Sequence, residues 1–120
     1  QNNYLTIVGR NKDLIITGGL NVYPKEIETV IDTDSNVEES AVIGVSHPDF
    51  GEGIVAIIVE KKGYKLDHQI LQESLRKNLA TFKLPKKIHI IKELPRNTMG
   101  KVQKTILRDL YKDEFRKANK

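Results

Sequence analysis

The chain has 120 residues and a net charge of +4; 38% of its residues are hydrophobic, 30% are charged and none is cysteine. This length holds one domain with its own core and excludes two, and no window approaches the roughly 18 apolar residues of a membrane-spanning helix, which argues against membrane insertion. Without cysteine there is no disulfide framework and no thiolate nucleophile, and without the basic-then-apolar start of a signal peptide we expect a cytoplasmic protein.

The first predicted elements are a pair of strands and a helix. YLTIVGR (4–10) and KDLIITGG (12–19) are short apolar runs joined around a bend, which indicates a hairpin or two strands. The first run begins without a lead-in or a methionine, so we expect the chain to be a piece of a larger protein. YPKEIETVIDT (23–33) has a proline at a first helical position and predicts a short helix, whose apolar face carries Ile27, Val30 and Ile31.

Two strands and a second helix are predicted next. In ESAVIGVSH (39–47) alternate apolar residues share one face, and GIVAIIVEK (53–61) is continuously apolar, as a central strand is. The turn HPDFGE (47–52) joins them. Asp67 can cap a helix that runs to about Ala80. Its apolar stripe has one polar interruption and consists of Ile70, Leu71, Leu75, Asn78, Leu79 and Phe82.

LPKKIHIIKEL (84–94) predicts the last strand, and KTILRDLYKDEFRKANK (104–120) predicts the last helix. The stripe of this helix consists of Ile106, Leu107, Leu110, Tyr111 and Phe115. The resulting order ββαββαβα, with short connections, predicts an α+β domain. We expect a small mixed β-sheet with an N-terminal two-stranded β element and about three packed helices.

The connection LPRNTMGKVQK (94–104) is an irregular loop that carries Lys101 directly after a glycine, with Lys104 and Arg108 close behind. It is either a solvated basic turn or a mobile loop that presents a lysine to a negatively charged reaction centre. The wider charge distribution allows both. Residues 1–60 hold 3 Lys or Arg and 10 Asp or Glu, whereas residues 61–120 hold 17 and 6. Such a basic half favours an anionic partner, or it is a solvated lysine-rich surface.

Several familiar site motifs are excluded by their context. Gly100–Lys101 is not a Walker A loop, because proline and valine stand where that motif needs an earlier glycine and a following Ser or Thr. GEGIVA (51–56) fits a dinucleotide-binding pattern, but a β-branched run follows it where the motif needs a helix. His47, Asp49 and Glu52 lie within one turn and are better explained by turn chemistry than by a metal, so no metal site is predicted.

The motifs taken together, in order and at this spacing, resemble one family. YLTIVGRNKDLIITGGLNVYPKEIE (4–28), followed some seventy residues later by LPRNTMGKVQK (94–104), resembles the C-terminal domain of AMP-forming acyl-CoA synthetases, the superfamily that includes luciferases and peptide-synthetase adenylation domains. TGGLNVYPKEIE, ESAVIGVSHPDFGEG and PRNTMGKVQK are most similar to malonyl-CoA synthetases. The resemblance covers the whole chain, 1–120, and implies that a large N-terminal domain is absent and that this piece alone is inactive.

The resemblance also implies a reaction in two halves. A carboxylate attacks the α-phosphate of ATP, giving an acyl-adenylate and pyrophosphate, and the thiol of coenzyme A then displaces AMP. Lys101 matches the catalytic lysine of the first half and contacts ATP, and Arg10 matches the arginine that contacts the adenylate ribose. Mg²⁺ is expected mainly on the absent N-terminal domain.

For the second half, the resemblance implies that the small domain rotates about a hinge near 9–13, at Lys12. Gly18 and Gly19 would line the pantetheine channel, and Arg76 would meet the nucleotide phosphates of coenzyme A. Without the resemblance, the sequence also allows a purely structural role for the two glycines, in which they form a turn that needs positive φ.

The expected partners are the protein's own N-terminal domain, ATP, coenzyme A and a small carboxylic acid, with malonate favoured. The alternatives are a medium- or long-chain acyl-CoA synthetase or another adenylate-forming ligase. A remote alternative is a basic nucleic-acid-binding module, which would need aromatics interleaved with Lys and Arg on one sheet face. The aromatic residues here are scattered along the chain, so nucleic acid is not an expected partner. Membrane insertion is not expected either, because no apolar window is long enough.

Overall fold

The computed structural model describes residues 13–116 and contains a five-stranded sheet with three helices. The elements in chain order are β1 (Ile15–Thr17), β2 (Leu20–Val22), α1 (Pro24–Asp32), β3 (Val37–His47), β4 (Gly51–Glu60), α2 (His68–Asn78), a 3-10 turn (Thr81–Lys83), β5 (Lys87–Ile91) and α3 (Lys104–Leu110). This is the α+β class that the sequence predicts, although the first two strands differ from the predicted runs.

Strand β4 is the centre of the sheet. On one side it pairs antiparallel with β3 over almost its whole length, from Glu60 opposite Val37 to Gly51 opposite His47. On the other side its first residue pairs with β1, and residues 55–59 pair in parallel with β5. Its side chains are buried on both faces of the sheet, which explains its continuous apolar sequence.

The sheet separates two apolar layers. Ile54, Ala56 and Ile58 of β4 point into a layer formed with α1 and α2, whereas the alternate residues Val55, Ile57 and Val59 point into a layer formed with α3 and the chain that precedes it. In β3, the predicted shared face of Ala41, Ile43 and Val45 is confirmed and belongs to the second layer. Both layers hold the domain together, and the second also supports the 94–104 connection.

The two-stranded element of the structure is the hairpin β1–β2, which turns through Gly18 and Gly19 at φ +58° and +81°. The sequence instead predicts a pair formed by the runs 4–10 and 12–19, and only the second of these contains a strand of the hairpin. Two consecutive positive φ angles suit a two-residue hairpin turn, and glycine adopts them without strain. Strand β2 was not predicted, because it has three residues of which only Val22 is buried. The other predicted run, 4–10, lies outside the described residues.

Helix α2 is capped as predicted: the Asp67 carboxylate accepts hydrogen bonds from the backbone N–H groups of Gln69 and Ile70. It ends at Asn78, two residues before the predicted end. The predicted stripe is wrong at Ile70, which is 60% exposed, because Leu71 occupies the core-facing position of that turn. Phe82 is also partly exposed and lies beyond the helix.

Helix α3 is shorter than predicted, and its stripe is also partly wrong. Leu107 is fully buried, but Ile106 and Leu110 are exposed on a second face. After the helix, Tyr111 stacks on the His89 ring, and His89 Nε2 lies 3.0 Å from a carboxylate oxygen of Glu114. These contacts hold the chain after α3 against β5. No helix within residues 13–116 has the length and apolar character needed to cross a membrane.

Candidate functional site

Lys101 lies at the end of a tight turn whose base is an antiparallel bridge between Arg96 and Val102. The backbone N–H of Asn97 donates to the Lys101 carbonyl at 3.0 Å, and the Gly100 N–H donates to the Asn97 carbonyl at 2.9 Å. Gly100 has φ +84°, a conformation that glycine adopts without strain. The connection between β5 and α3 contains no helix or strand, as the sequence predicts, but its residues 96–102 form a closed turn.

The Asn97 side chain organises the interior of this turn. Its carboxamide oxygen accepts hydrogen bonds from the backbone N–H groups of Met99, at 2.9 Å, and Lys101, at 3.0 Å. Asparagine is a frequent turn residue because its short side chain can satisfy nearby backbone donors in this way. The backbone at Lys101 is consequently fixed, while its side chain is exposed to solvent.

The base of the turn is anchored in the second apolar layer. Leu94 is buried there, Val102 packs against it, and the Gln103 N–H donates to the Pro95 carbonyl at 2.8 Å. Apolar packing on both arms thus anchors the base of the turn to the sheet.

Four cations, called here the Lys101 cluster, lie in the turn or follow it in the chain: Arg96, Lys101, Lys104 and Arg108. Three of them are paired with carboxylates from the acidic half of the chain. Lys104 Nζ lies 2.6 Å from a carboxylate oxygen of Glu28, Arg96 is paired with Glu39, and Arg108 lies 3.7 Å from Asp13. Of these four cations, Lys101 alone has no carboxylate within 4 Å among residues 13–116.

This pairing explains the basic run after Gly100. Lys104 and Arg108 lie beside carboxylates of the protein itself and are less exposed than Lys101, so they are less available to an external anion. The exposed Lys101 amine, at the end of a long flexible stem, is free to neutralise an external anion. Among these four cations, Lys101 is therefore the one that is both exposed and without a carboxylate partner within residues 13–116.

A second candidate region is the hairpin turn at Gly18 and Gly19. Gly18 donates its N–H to the Phe50 carbonyl at 2.8 Å, and the Lys86 amine lies 4.5 Å from the centre of the Phe50 ring. Gly18, Phe50 and Lys86, but not Gly19, line a groove of about 280 Å³, whose other lining residues are Thr17, Leu20, Ile54, Thr81, Phe82 and Leu84. Sequence reasoning missed Phe50 and Lys86, although the paired lysines after Pro85 were a usable signal.

Arg76 does not line this groove. It is exposed on α2, beside a smaller pocket of about 110 Å³ that also includes Gln72 and Pro85, and Leu84 borders both pockets. The Lys101 turn contributes to neither pocket. Arg10 and Lys12 lie outside the described residues.

The candidate metal ligands of the 47–52 turn have other structural roles. His47 Nδ1 accepts a hydrogen bond from the Asp49 N–H, and the Glu52 carboxylate accepts one from Ile16 N–H. Between residues 13 and 116 no group of three or more acidic or histidine side chains is placed to hold a metal ion.

Comparison with known proteins finds one matching family and several similar solved structures and relatives. Residues 26–101 match the AMP-binding enzyme C-terminal domain family. Apo MatB from Rhodopseudomonas palustris is similar in structure, with a TM-score of 0.85 and 57% identity over 89% of this chain and 21% of that chain. The ATP-bound form of MatB is 56% identical with the same TM-score.

Two curated relatives are named as ligases of different acids. The long-chain-fatty-acid–CoA ligase FadD13 of Mycobacterium tuberculosis is 46% identical over 108 residues, which cover 90% of this chain and 21% of the relative. The 2-succinylbenzoate–CoA ligase of Listeria innocua is 43% identical over 108 residues, which cover 90% of this chain and 23% of the relative. The chain therefore spans between a fifth and a quarter of the length of these relatives.

Proposed function

Because the chain belongs to the AMP-binding enzyme C-terminal domain family, we propose that it is the mobile domain of an ATP-dependent acid–thiol ligase. The whole enzyme would join a carboxylic acid to coenzyme A through an acyl-adenylate. A large N-terminal domain would hold ATP, the acid and most of the Mg²⁺ coordination. This domain would supply one reacting-centre cation and part of the coenzyme A channel, and would be inactive alone. We further propose a cytoplasmic location, which suits a cysteine-free chain.

The observation that carries the proposal is the unpaired charge of Lys101. In the first half-reaction a carboxylate oxygen attacks the α-phosphorus of ATP and pyrophosphate leaves, so two anions must approach each other. A positioned cation at that point stabilises the transition state by several kcal/mol in a closed site. Lys101 is the one cation of its cluster, within residues 13–116, that has no carboxylate of its own.

In the second half-reaction the thiol sulfur attacks the acyl carbon and AMP leaves. This step would need Lys101 withdrawn and a path for the pantetheine arm. A rotation about Lys12 would achieve the exchange, with Arg10 contacting the ribose of the adenylate. The open backbone at Gly18 and Gly19 would then border the channel, because the absence of side chains leaves room for the arm.

Coenzyme A also carries several phosphates, for which the basic half of the chain offers partners. Lys86 faces the groove beside Gly18, and Arg76 lies beyond Leu84. We propose that Arg76 meets the nucleotide phosphates of coenzyme A, with its basic neighbours attracting the polyanion.

Malonate is the acid that we propose as substrate. The three motifs quoted above are most similar to malonyl-CoA synthetases, and identity to MatB, the malonyl-CoA synthetase among the similar structures, is 56–57%. The fatty-acyl relatives are 44–46% identical, so a medium- or long-chain acyl-CoA synthetase is the second candidate.

We expect the full-length ligase to use malonate in preference to acids with one carboxylate. A pocket that pairs a second carboxylate leaves polar groups unsatisfied when that carboxylate is missing, so kcat/KM for acetate and octanoate should be at least about 100-fold lower. Coenzyme A ester formation measured with the three acids checks this. A higher kcat/KM for octanoate would replace malonate by the fatty-acid alternative without affecting the proposed role of Lys101.

The hinge proposal predicts a selective defect in the Lys12→Pro variant. Proline fixes φ and removes the backbone N–H, so it restricts the rotation that exchanges the two domain orientations. Thioester formation should fall about tenfold more than adenylation. Pyrophosphate release and acyl-CoA formation, each measured in single turnover, give the two rates. Equal losses in both half-reactions would contradict a hinge at this position.

A further inference from the structure

We propose that Arg96, held by Glu39, is a positioning residue that sets the orientation of Lys101. The inference rests on the proposed function, because it concerns the same lysine. One guanidinium nitrogen of Arg96 is paired with the Glu39 carboxylate on β3. Another, Nη1, donates to the Gly100 carbonyl at 3.0 Å, one residue before Lys101.

The Arg96 guanidinium is the one polar link that joins the turn 96–102 to another element within residues 13–116. The hydrogen bonds of Asn97, Gly100 and Lys101 all run to other residues of the connection 95–103. They fix the internal shape of the turn but not its angle to the sheet. The bond from Arg96 to Gly100 ties the far end of the turn to β3 through Glu39.

Arginine suits this role better than lysine does. Its planar fork presents donors in two fixed directions, so one side chain can hold a carboxylate and a carbonyl at the same time. An ammonium group is a point charge and would favour the carboxylate. The side chains of Arg96 and Glu39 are 39% and 28% exposed, and a pair of that exposure contributes little to stability. We therefore expect the pair to act on the geometry of the turn more than on the stability of the domain.

The turn matters for rate because the lysine amine must meet a developing charge. A displacement of about 1 Å at a reacting centre can cost about 100-fold in rate. Gly100 sits at φ +84° with no heavy atom within 4 Å of the place where a side chain would begin, so packing does not restrain the tip. The Arg96 bond supplies that restraint.

The test compares half-reactions in the full-length ligase that contains this chain. In Arg96→Met and in Glu39→Gln, kcat for acyl-adenylate formation should fall about tenfold. KM for ATP should stay within about twofold, and thioester formation from supplied acyl-adenylate should be unchanged, because Lys101 acts only in the first step. The control is Asp113→Asn, which removes a carboxylate from the exposed Arg116 pair, and it should leave both half-reactions unchanged.

A charge swap separates positioning from a purely structural ion pair. The double variant Glu39→Arg with Arg96→Glu restores opposite charges, but glutamate cannot donate to the Gly100 carbonyl. Because the pair contributes little to stability, the urea midpoint of unfolding should lie near the wild-type value in the two single variants and in the double variant, while adenylation remains about tenfold slow in all three. Recovery of adenylation in the double variant would overturn the proposal.

Lys101→Ala, assayed in parallel, distinguishes a failure of the Arg96 proposal from a failure of the proposed function. If Lys101→Ala loses adenylation and the Arg96 and Glu39 variants do not, positioning by Arg96 is wrong and the function stands. If Lys101→Ala itself retains adenylation, the proposed function fails.

Discussion

Lys101→Ala in the full-length ligase is expected to lower the rate of acyl-adenylate formation by about 100-fold or more. The reason is electrostatic. The acid and the α-phosphate are both negative, and the Lys101 amine is the cation of its cluster, among residues 13–116, that no carboxylate of the protein neutralises. Its removal raises the transition-state energy of that step alone.

The matching expectation is that thioester formation from supplied acyl-adenylate survives in Lys101→Ala. Pyrophosphate release in single turnover measures the first step, and acyl-CoA formation from synthetic acyl-adenylate measures the second. Lys101→Arg keeps the charge but replaces a point cation by a wider planar group, so partial recovery is expected. Normal pyrophosphate release from the alanine variant would refute the role of Lys101.

The second large effect concerns stability. Glu28→Ala should lower the free energy of unfolding by about 3 kcal/mol, because two groups lose their partner. Glu28 Oε2 lies 2.6 Å from Lys104 Nζ and also accepts a hydrogen bond from the Val42 N–H at 2.8 Å. The Glu28 and Lys104 side chains are only 13% and 17% exposed, so water can replace the lost contacts poorly.

The same helix offers a matched control. Glu26 is also paired with a lysine, Lys83, at 2.9 Å, but its side chain is 43% exposed. Solvent screening makes such a pair weak, so Glu26→Ala should cost less than about 1 kcal/mol. Urea unfolding of the two variants, followed by circular dichroism, gives the comparison. Equal losses of unfolding free energy in the two variants would show that burial of the Glu28–Lys104 pair does not increase its contribution to stability.

Local signals were sufficient for the larger elements. Strand β4 is continuously apolar, α1 begins with a proline, and α2 begins at an aspartate that caps it, so each could be predicted from a few adjacent residues. Strand β2 could not, since a three-residue strand buries one side chain and gives no periodicity. In α3, Ile106 and Leu110 are apolar at helical spacing yet exposed, because only the Leu107 face meets the sheet.

The charge pairing around Lys101 depends on tertiary structure. Glu39 and Arg96 are separated by 57 positions, and Glu28 and Lys104 by still more, so no local pattern identifies which cations are neutralised. The motif at 94–104 marked Lys101 through family resemblance. The structure was needed to show that the neighbouring cations are neutralised, because their carboxylate partners come from the acidic half of the chain, which folds against the basic half. Phe50 and Lys86 were missed at the second region for the same reason.

ATP–pyrophosphate exchange in three variants of the full-length ligase tests the central claim most directly. Lys101→Met, Lys104→Met and Arg108→Met each remove one positive charge from the same cluster. We predict that the exchange rate falls about 100-fold or more in Lys101→Met and stays within about threefold of wild type in Arg108→Met. In Lys104→Met, any fall in the exchange rate should equal the fall in the fraction of folded protein, because that lysine belongs to a largely buried ion pair. Equal reductions of specific activity in all three variants would contradict a single presented lysine.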